Sequence, residues 1–279
     1  MIMIDKNAFS GRCVDSSRGR THYWIHRAAP GARCVVFTHG LTANHEMFEP
    51  QAEYFREKYT LILWDVPLHG MSRPYRDFSY ENAAEELDAI LRQEGIGRAA
   101  LVGMSMGGYP CQMFALKYPE KVDCFVALDT TPFGPYYSAS DCFWLRQAGR
   151  VANWYPESLL RRGMARSVSR TERGRAMMLR MLAPLSKADI ARQMDAAYGK
   201  FLEENRDASF GFPVLILLGE RDRTGKVSEY CRAWAKKTGY PLHIIPGAAH
   251  LSNVDNPDAV NREIERFLQA VGAGTRSEE

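Results

Sequence analysis

The chain has 279 residues, 46% hydrophobic and 25% charged, with a formal net charge of +3. That composition excludes a disordered or fibrous chain and is long enough for one large core, with or without an inserted subdomain. So small a net charge gives no reason to expect nucleic acid as a partner.

The opening MIMIDKN lacks both the basic start and the continuous apolar core of a signal peptide. No apolar run approaches the ~20 residues needed to cross a bilayer, so no membrane partner is expected. The six cysteines (Cys13, Cys34, Cys111, Cys124, Cys142, Cys231) form no C-x-x-C pair, and several lie in apolar runs. Free thiols in a reducing, cytoplasmic setting are therefore expected in place of disulfides or zinc.

Three short strands are predicted near Ala8–Val14, Thr21–His26 and Arg33–Thr38, punctuated by Gly19 and Pro30–Gly31. From Glu46 onward Met47, Phe48, Ala52 and Phe55 recur at helical spacing. YTLILWD at 59–65 is a near-continuous apolar run, as in a central parallel strand covered on both faces. The pattern then alternates: a helix over 80–94, a strand at 99–103, a helix over 106–118 and a strand at 121–129. Such alternation implies a mostly parallel sheet with helices on both faces.

After Asp129 the alternation stops. Segments 141–150, 157–182 and 186–205 read as helices with no strand between them, and Asp141 to Asp207 carries thirteen basic against eight acidic residues. Residues 132–210 are read as a helical insertion whose arginines, among them Arg161, Arg162, Arg166, Arg170, Arg173 and Arg175, form a solvated face. The sheet resumes at 212–222, followed by a helix over 227–238, a strand at 241–246 and a last helix over 256–270. The expected organisation is an α/β core over 1–131 and 211–270, the helical insertion over 132–210 between them, and a frayed tail over 271–279.

The most informative stretch is Gly103-Met104-Ser105-Met106-Gly107. It is a G-x-S-x-G motif with an apolar strand before it and a helical pattern after it. A sharp strand-to-helix turn would expose the serine oxygen above the sheet edge. The glycines would allow backbone to approach where a Cβ would collide, and the helix N-terminus would favour developing negative charge.

With these residues in place the chain resembles the alpha/beta-hydrolase superfamily, in its single-domain form with a helical cap after the sixth strand of an eight-stranded, mostly parallel sheet. His39-Gly40, Asp65 to Ser72, Gly103 to Gly108, and Gly219–Asp222 with His250 carry the resemblance. It implies Ser105 as nucleophile, Asp222 as orienting acid and His250 as base, with the N–H groups of Leu41 and Met106 as oxyanion donors. The residues alone support His250, which lies in a polar turn region between a strand and the last helix. His39 at a strand end is a rival base, and Asp129, ending the preceding strand, is an alternative acid.

The resemblance also implies that epoxide opening and halide displacement are disfavoured, since members of the superfamily with those activities carry an aspartate where this chain has Ser105. No dinucleotide fingerprint or metal-ligand spacing competes with the triad, and a cofactor-free enzyme is expected. The aromatic interval in the cap (Phe133, Tyr136, Tyr137, Phe143, Trp144, Trp154, Tyr155), with Phe48 and Met106 from the core, supplies candidates for a substrate pocket. The expected partner is a small molecule: a small or medium apolar ester or lactone, cleaved through an acyl-enzyme. The alternatives are carbon–carbon bond hydrolysis of ring-fission products, an amidase, a thioesterase, or a ligand-binding receptor on the same fold. A homo-oligomer is left open.

Overall fold

The run Thr60–Trp64 sets the pattern of the whole sheet. All five residues are buried, and their side chains alternate between two cores. Ile62 and Trp64 face one, Leu61 and Leu63 the other. A strand with helices on both faces has no solvated side, which is why it reads as continuously apolar.

In this computed structural model, which describes residues 8–275, eight strands form one sheet. They are β1 (Ser10–Ser16), β2 (Gly19–His26), β3 (Cys34–Thr38), β4 (Thr60–Trp64), β5 (Ala99–Met104), β6 (Val122–Leu128), β7 (Val214–Gly219) and β8 (Leu242–Ile245). Their spatial order is β1-β2-β4-β3-β5-β6-β7-β8, with β2 antiparallel to both its neighbours, β1 and β4, and every other pair parallel.

The core helices are α1 (Glu49–Phe55), α2 (Tyr80–Gln93), α3 (Gly108–Lys117), α8 (Val227–Thr238), α9 (Ser252–Asp255) and α10 (Pro257–Thr275). Helices α2 and α3 pack with Ile62 and Trp64, while α1 and α10 pack with Leu61 and Leu63. The parallel strands end together at one sheet edge, where open α/β folds place their chemistry.

Between β6 and β7 lie four helices: α4 (Ala139–Trp154), α5 (Glu157–Val168), α6 (Glu172–Leu182) and α7 (Lys187–Glu204). Helices α4 and α7 approach closely at Gly149, where a Cβ would sit 2.1 Å from an Asp195 carboxylate oxygen. Most of the expected arginines are exposed here, but Arg161 is half-buried and caps the carbonyls of Leu182 and Leu185.

Three details differ from the sequence reading. The expected helix over 157–182 breaks in two, because Thr171 caps α6 by accepting from the Gly174 N–H (3.0 Å) and Ser169 is extended. The helix after Ser105 begins as a single 3-10 turn over Ser105–Gly107. The last helix also runs past the expected start of the tail, to Thr275. Val271 continues the apolar stripe of Phe267 and Leu268 against the core. Residues 1–7, read above for a leader, and 276–279, the end of the expected tail, lie outside the described residues.

Phe201 on α7 is buried against Tyr109, Phe133 and Tyr137, at ring-centroid distances of 4.6, 5.7 and 4.9 Å. Trp154, at the end of α4, is 79% exposed. Urea unfolding should therefore show Phe201→Ala losing about 3–5 kcal/mol, and Trp154→Ala changing stability by no more than about 0.5 kcal/mol.

Candidate active site

Ser105 follows β5 with a backbone φ of 52°, a left-handed conformation that costs a non-glycine residue free energy. Its neighbours make the turn sterically feasible. A Cβ on Gly107 would lie 2.1 Å from the Thr38 carbonyl oxygen, so only glycine lets the turn nest against the end of β3. The Thr130 hydroxyl donates to the Ser105 carbonyl at 2.6 Å and holds the turn from the β6 side.

Two further strand ends bring partners to this turn. Asp222 lies in the loop after β7 and His250 in the loop after β8. His250 Nε2 is 2.8 Å from Ser105 Oγ, and His250 Nδ1 is 2.8 Å from Asp222 Oδ2. A carboxylate only accepts, so Nδ1 carries the proton and neutral Nε2 is left to accept from the serine hydroxyl. The other Asp222 oxygen accepts from the Thr224 N–H at 2.8 Å. Burial works against protonation of His250. The Asp222 charge and hydrogen bond, joined by the Asp129 charge, outweigh it and leave the imidazole pKa above its ordinary 6.5.

The two rivals have other places. His39 is fully buried, with Nδ1 donating to the Gly40 carbonyl (2.8 Å) and Nε2 accepting from the Val66 N–H (3.0 Å). Burial pushes its pKa down to about 4, so it stays a neutral brace for the 40–42 loop. Asp129 makes no hydrogen bond to His250. It accepts from the Gly219 N–H at 2.7 Å and from the Ser252 hydroxyl, tying together the strand before Asp222 and the segment after His250. Burial raises its pKa well above the carboxylate range.

Ser105 and His250 open on two adjoining cavities of about 310 and 240 Å³. Leu41 lines both and Met106 lines the larger, so both expected oxyanion donors belong to residues beside Ser105. Of the aromatic candidates, Tyr137 and Trp144 line the larger cavity. Six do not, and the pocket expectation is corrected there: Phe143 and Tyr155 are exposed and line neither cavity, and the other four have places of their own. Phe48 is buried beneath the sheet against Phe37, and Phe133 is stacked on Phe201 inside the core. Tyr136 lies under the Lys237 ammonium away from the cavity, and Trp154 points to solvent.

Periodicity did not single out Met164 and Met178 of the insertion, Tyr198 on α7, or Asp141 and Lys226, all of which line the cavities. Among the described residues, no group of three or more His, Cys, Asp or Glu side chains is placed to hold a metal ion. Nor is any helix among them long and apolar enough to cross a membrane.

The family described as alpha/beta hydrolase fold matches residues 33–257. A 2-(acetamidomethylene)succinate hydrolase of Mesorhizobium japonicum is 28% identical over 255 residues, covering 85% of this chain and 88% of that protein. 3-Oxoadipate enol-lactonase 2 of Acinetobacter baylyi is 24% identical, covering 84% of this chain and 88% of its own. A thermophilic esterase from Thermogutta terrifontis superposes with a TM-score of 0.75 at 22% identity, over 94% of this chain and 98% of that one. The strand order, the G-x-S-x-G turn at the β5 end and this match over most of the chain agree: the protein belongs to the alpha/beta hydrolase fold family and is a hydrolase.

Proposed function

We propose that the protein hydrolyses a small or medium apolar carboxylic ester or lactone through an acyl-enzyme on Ser105. The observation that carries this reading is the continuous hydrogen-bonded line from Asp222 through His250 to Ser105, ending on a cavity with mostly apolar walls. The relatives named as an enol-lactonase and a succinate-derivative hydrolase support carbonyl-centred hydrolysis.

In the first step Ser105 Oγ attacks the carbonyl carbon as its proton passes to His250 Nε2. The N–H groups of Leu41 and Met106 receive the oxyanion, and Asp222 stabilises the imidazolium. As the carbon–oxygen bond breaks, His250 returns the proton to the leaving alkoxide, releasing an alcohol; in a lactone the new hydroxyl stays on the acyl chain. Water then attacks the acyl-enzyme with His250 again as base, giving the acid and restoring Ser105.

The larger cavity takes Trp144, Leu145 and Ala148 from α4 and Met194, Tyr198 and Phe201 from α7. On this reading the inserted helices are a lid that selects the substrate while the strand ends hold the chemistry. The six free thiols support a cytoplasmic setting.

Asp222→Asn should fold normally and lose about 10³–10⁴-fold in kcat, because the imidazole loses the partner that fixes its tautomer. Asp129→Asn, which removes no bond to His250, should lose far less. Steady-state kinetics with melting curves check this, and the reverse ranking would move the acid to Asp129.

The pH profile gives a second test. The base must be neutral, so kcat/KM should rise with pH through an inflection above 6.5, the ordinary histidine value. Asp222 stabilises the protonated imidazole, so removing its charge in Asp222→Asn should move that inflection to lower pH.

A further inference from the structure

The two cavities share Leu41, Ser105, Met194, Tyr198, Thr224 and His250, which places Ser105 at the waist of one two-armed chamber. The arms differ in chemistry. Tyr109, Tyr137, Trp144 and Phe201 make one arm aromatic. Met47, Met104, Met164 and Met178 line the other with thioethers, which adapt to flexible chains.

Charge is distributed just as unevenly. Among the described residues, the only acidic or basic side chains besides His250 on the walls of either arm are Asp141 and Lys226, both on the aromatic arm. They neutralise one another, with Asp141 Oδ1 3.0 Å from Lys226 Nζ. The carboxylate is fixed in that position, because its other oxygen accepts from the Ser138 N–H (2.9 Å) and hydroxyl (2.6 Å) at the start of α4.

Two phenols of the aromatic arm are engaged as well: Tyr109 bonds Thr131 at 2.8 Å, and Tyr137 donates to the Pro132 carbonyl at 2.6 Å. The Tyr230 hydroxyl on the same arm is buried with no hydrogen-bond partner, a neutral group like Thr224. Where the arms meet, the Thr224 hydroxyl is buried with no protein partner, a neutral group able to contact an ester oxygen. A substrate carboxylate entering here would lose part of its hydration and meet an ammonium that is half exposed and already paired with Asp141, a combination that costs binding.

We infer that the substrate is a neutral two-armed ester, with a ring-bearing group on one side of the carbonyl and a flexible aliphatic chain on the other. Asp141 sets the charge preference by occupying Lys226. The inference rests on the ester-hydrolase reading above, and adds which esters enter and which residue decides.

The test compares 4-carbamoylphenyl hexanoate with its isosteric acid, 4-carboxyphenyl hexanoate. The wild type should favour the carbamoyl ester in kcat/KM by about tenfold or more, as expected for burying an unpaired charge. Asp141→Asn keeps an oxygen to accept from Ser138 but frees Lys226, and should raise the acid-to-amide ratio by about tenfold, an ion-pair-sized effect. Adding Lys226→Gln should return that ratio to the wild-type value. Equal use of both esters by the wild type, an unchanged ratio in Asp141→Asn, or a gain that survives Lys226→Gln would overturn the inference. If neither ester is turned over, the hydrolytic reading fails by itself. Calorimetric binding of the same pair to Ser105→Ala then decides the charge preference by the same comparison.

Discussion

Holding Ser105 at a φ of 52° costs about 1–3 kcal/mol, and the surrounding structure must offset that cost. Gly107 rests against the carbonyls at the end of β3, Gly103 against the backbone of Gly107 and Gly108, and Thr130 pins the serine carbonyl. Asp129, also at positive φ, holds the Gly219 N–H with one oxygen and the Ser252 hydroxyl with the other. The two residues that follow β6 thus fasten the loops of Ser105, Asp222 and His250 to one point. A buried carboxylate with all its bonds internal is costly unless satisfied, and here each oxygen has a partner.

The loop bearing His250 is also joined to the inserted helices. Asp255 accepts from the Ala249 N–H on the core side and from Ser169, Arg170 and Thr171 on the insertion side. The Leu251 N–H donates to the Val168 carbonyl at 2.7 Å. Arg180 on α6 adds bonds to Glu46 and Glu49 at 3.0 and 2.8 Å. The insertion is therefore registered on the loop that carries His250, so the walls of the chamber and this imidazole keep a fixed relation. Under the proposed reading, that registry lets one carboxylate on α4, Asp141, act on substrate charge close to Ser105.

The sheet was legible because parallel strands covered on both faces are written as apolar runs, and 59–65 reads that way without ambiguity. Ser105 was legible because its turn demands glycines at fixed spacing. Asp222 was less so, since GERDR looks like a surface turn until the fold brings it under His250; its place after a strand's carboxyl end was a weak pointer, and the family resemblance decided it. The pocket was the least legible part. Aromatic density in 133–155 cannot say which rings turn inward, and the structure sends Phe133 to the core and Trp154 to solvent. The methionine-lined arm comes from Met47, Met104, Met164 and Met178, residues far apart in the chain that meet only after the insertion folds back over β5.

The most direct measurement is to trap the covalent intermediate. Acid-quenching the enzyme in the first turnover of a slowly deacylating ester, followed by peptide mass spectrometry, should find the acyl group on the peptide containing Ser105. It should be absent in Ser105→Ala. Acyl modification at another residue, or turnover that persists in Ser105→Ala, would contradict nucleophilic catalysis by Ser105.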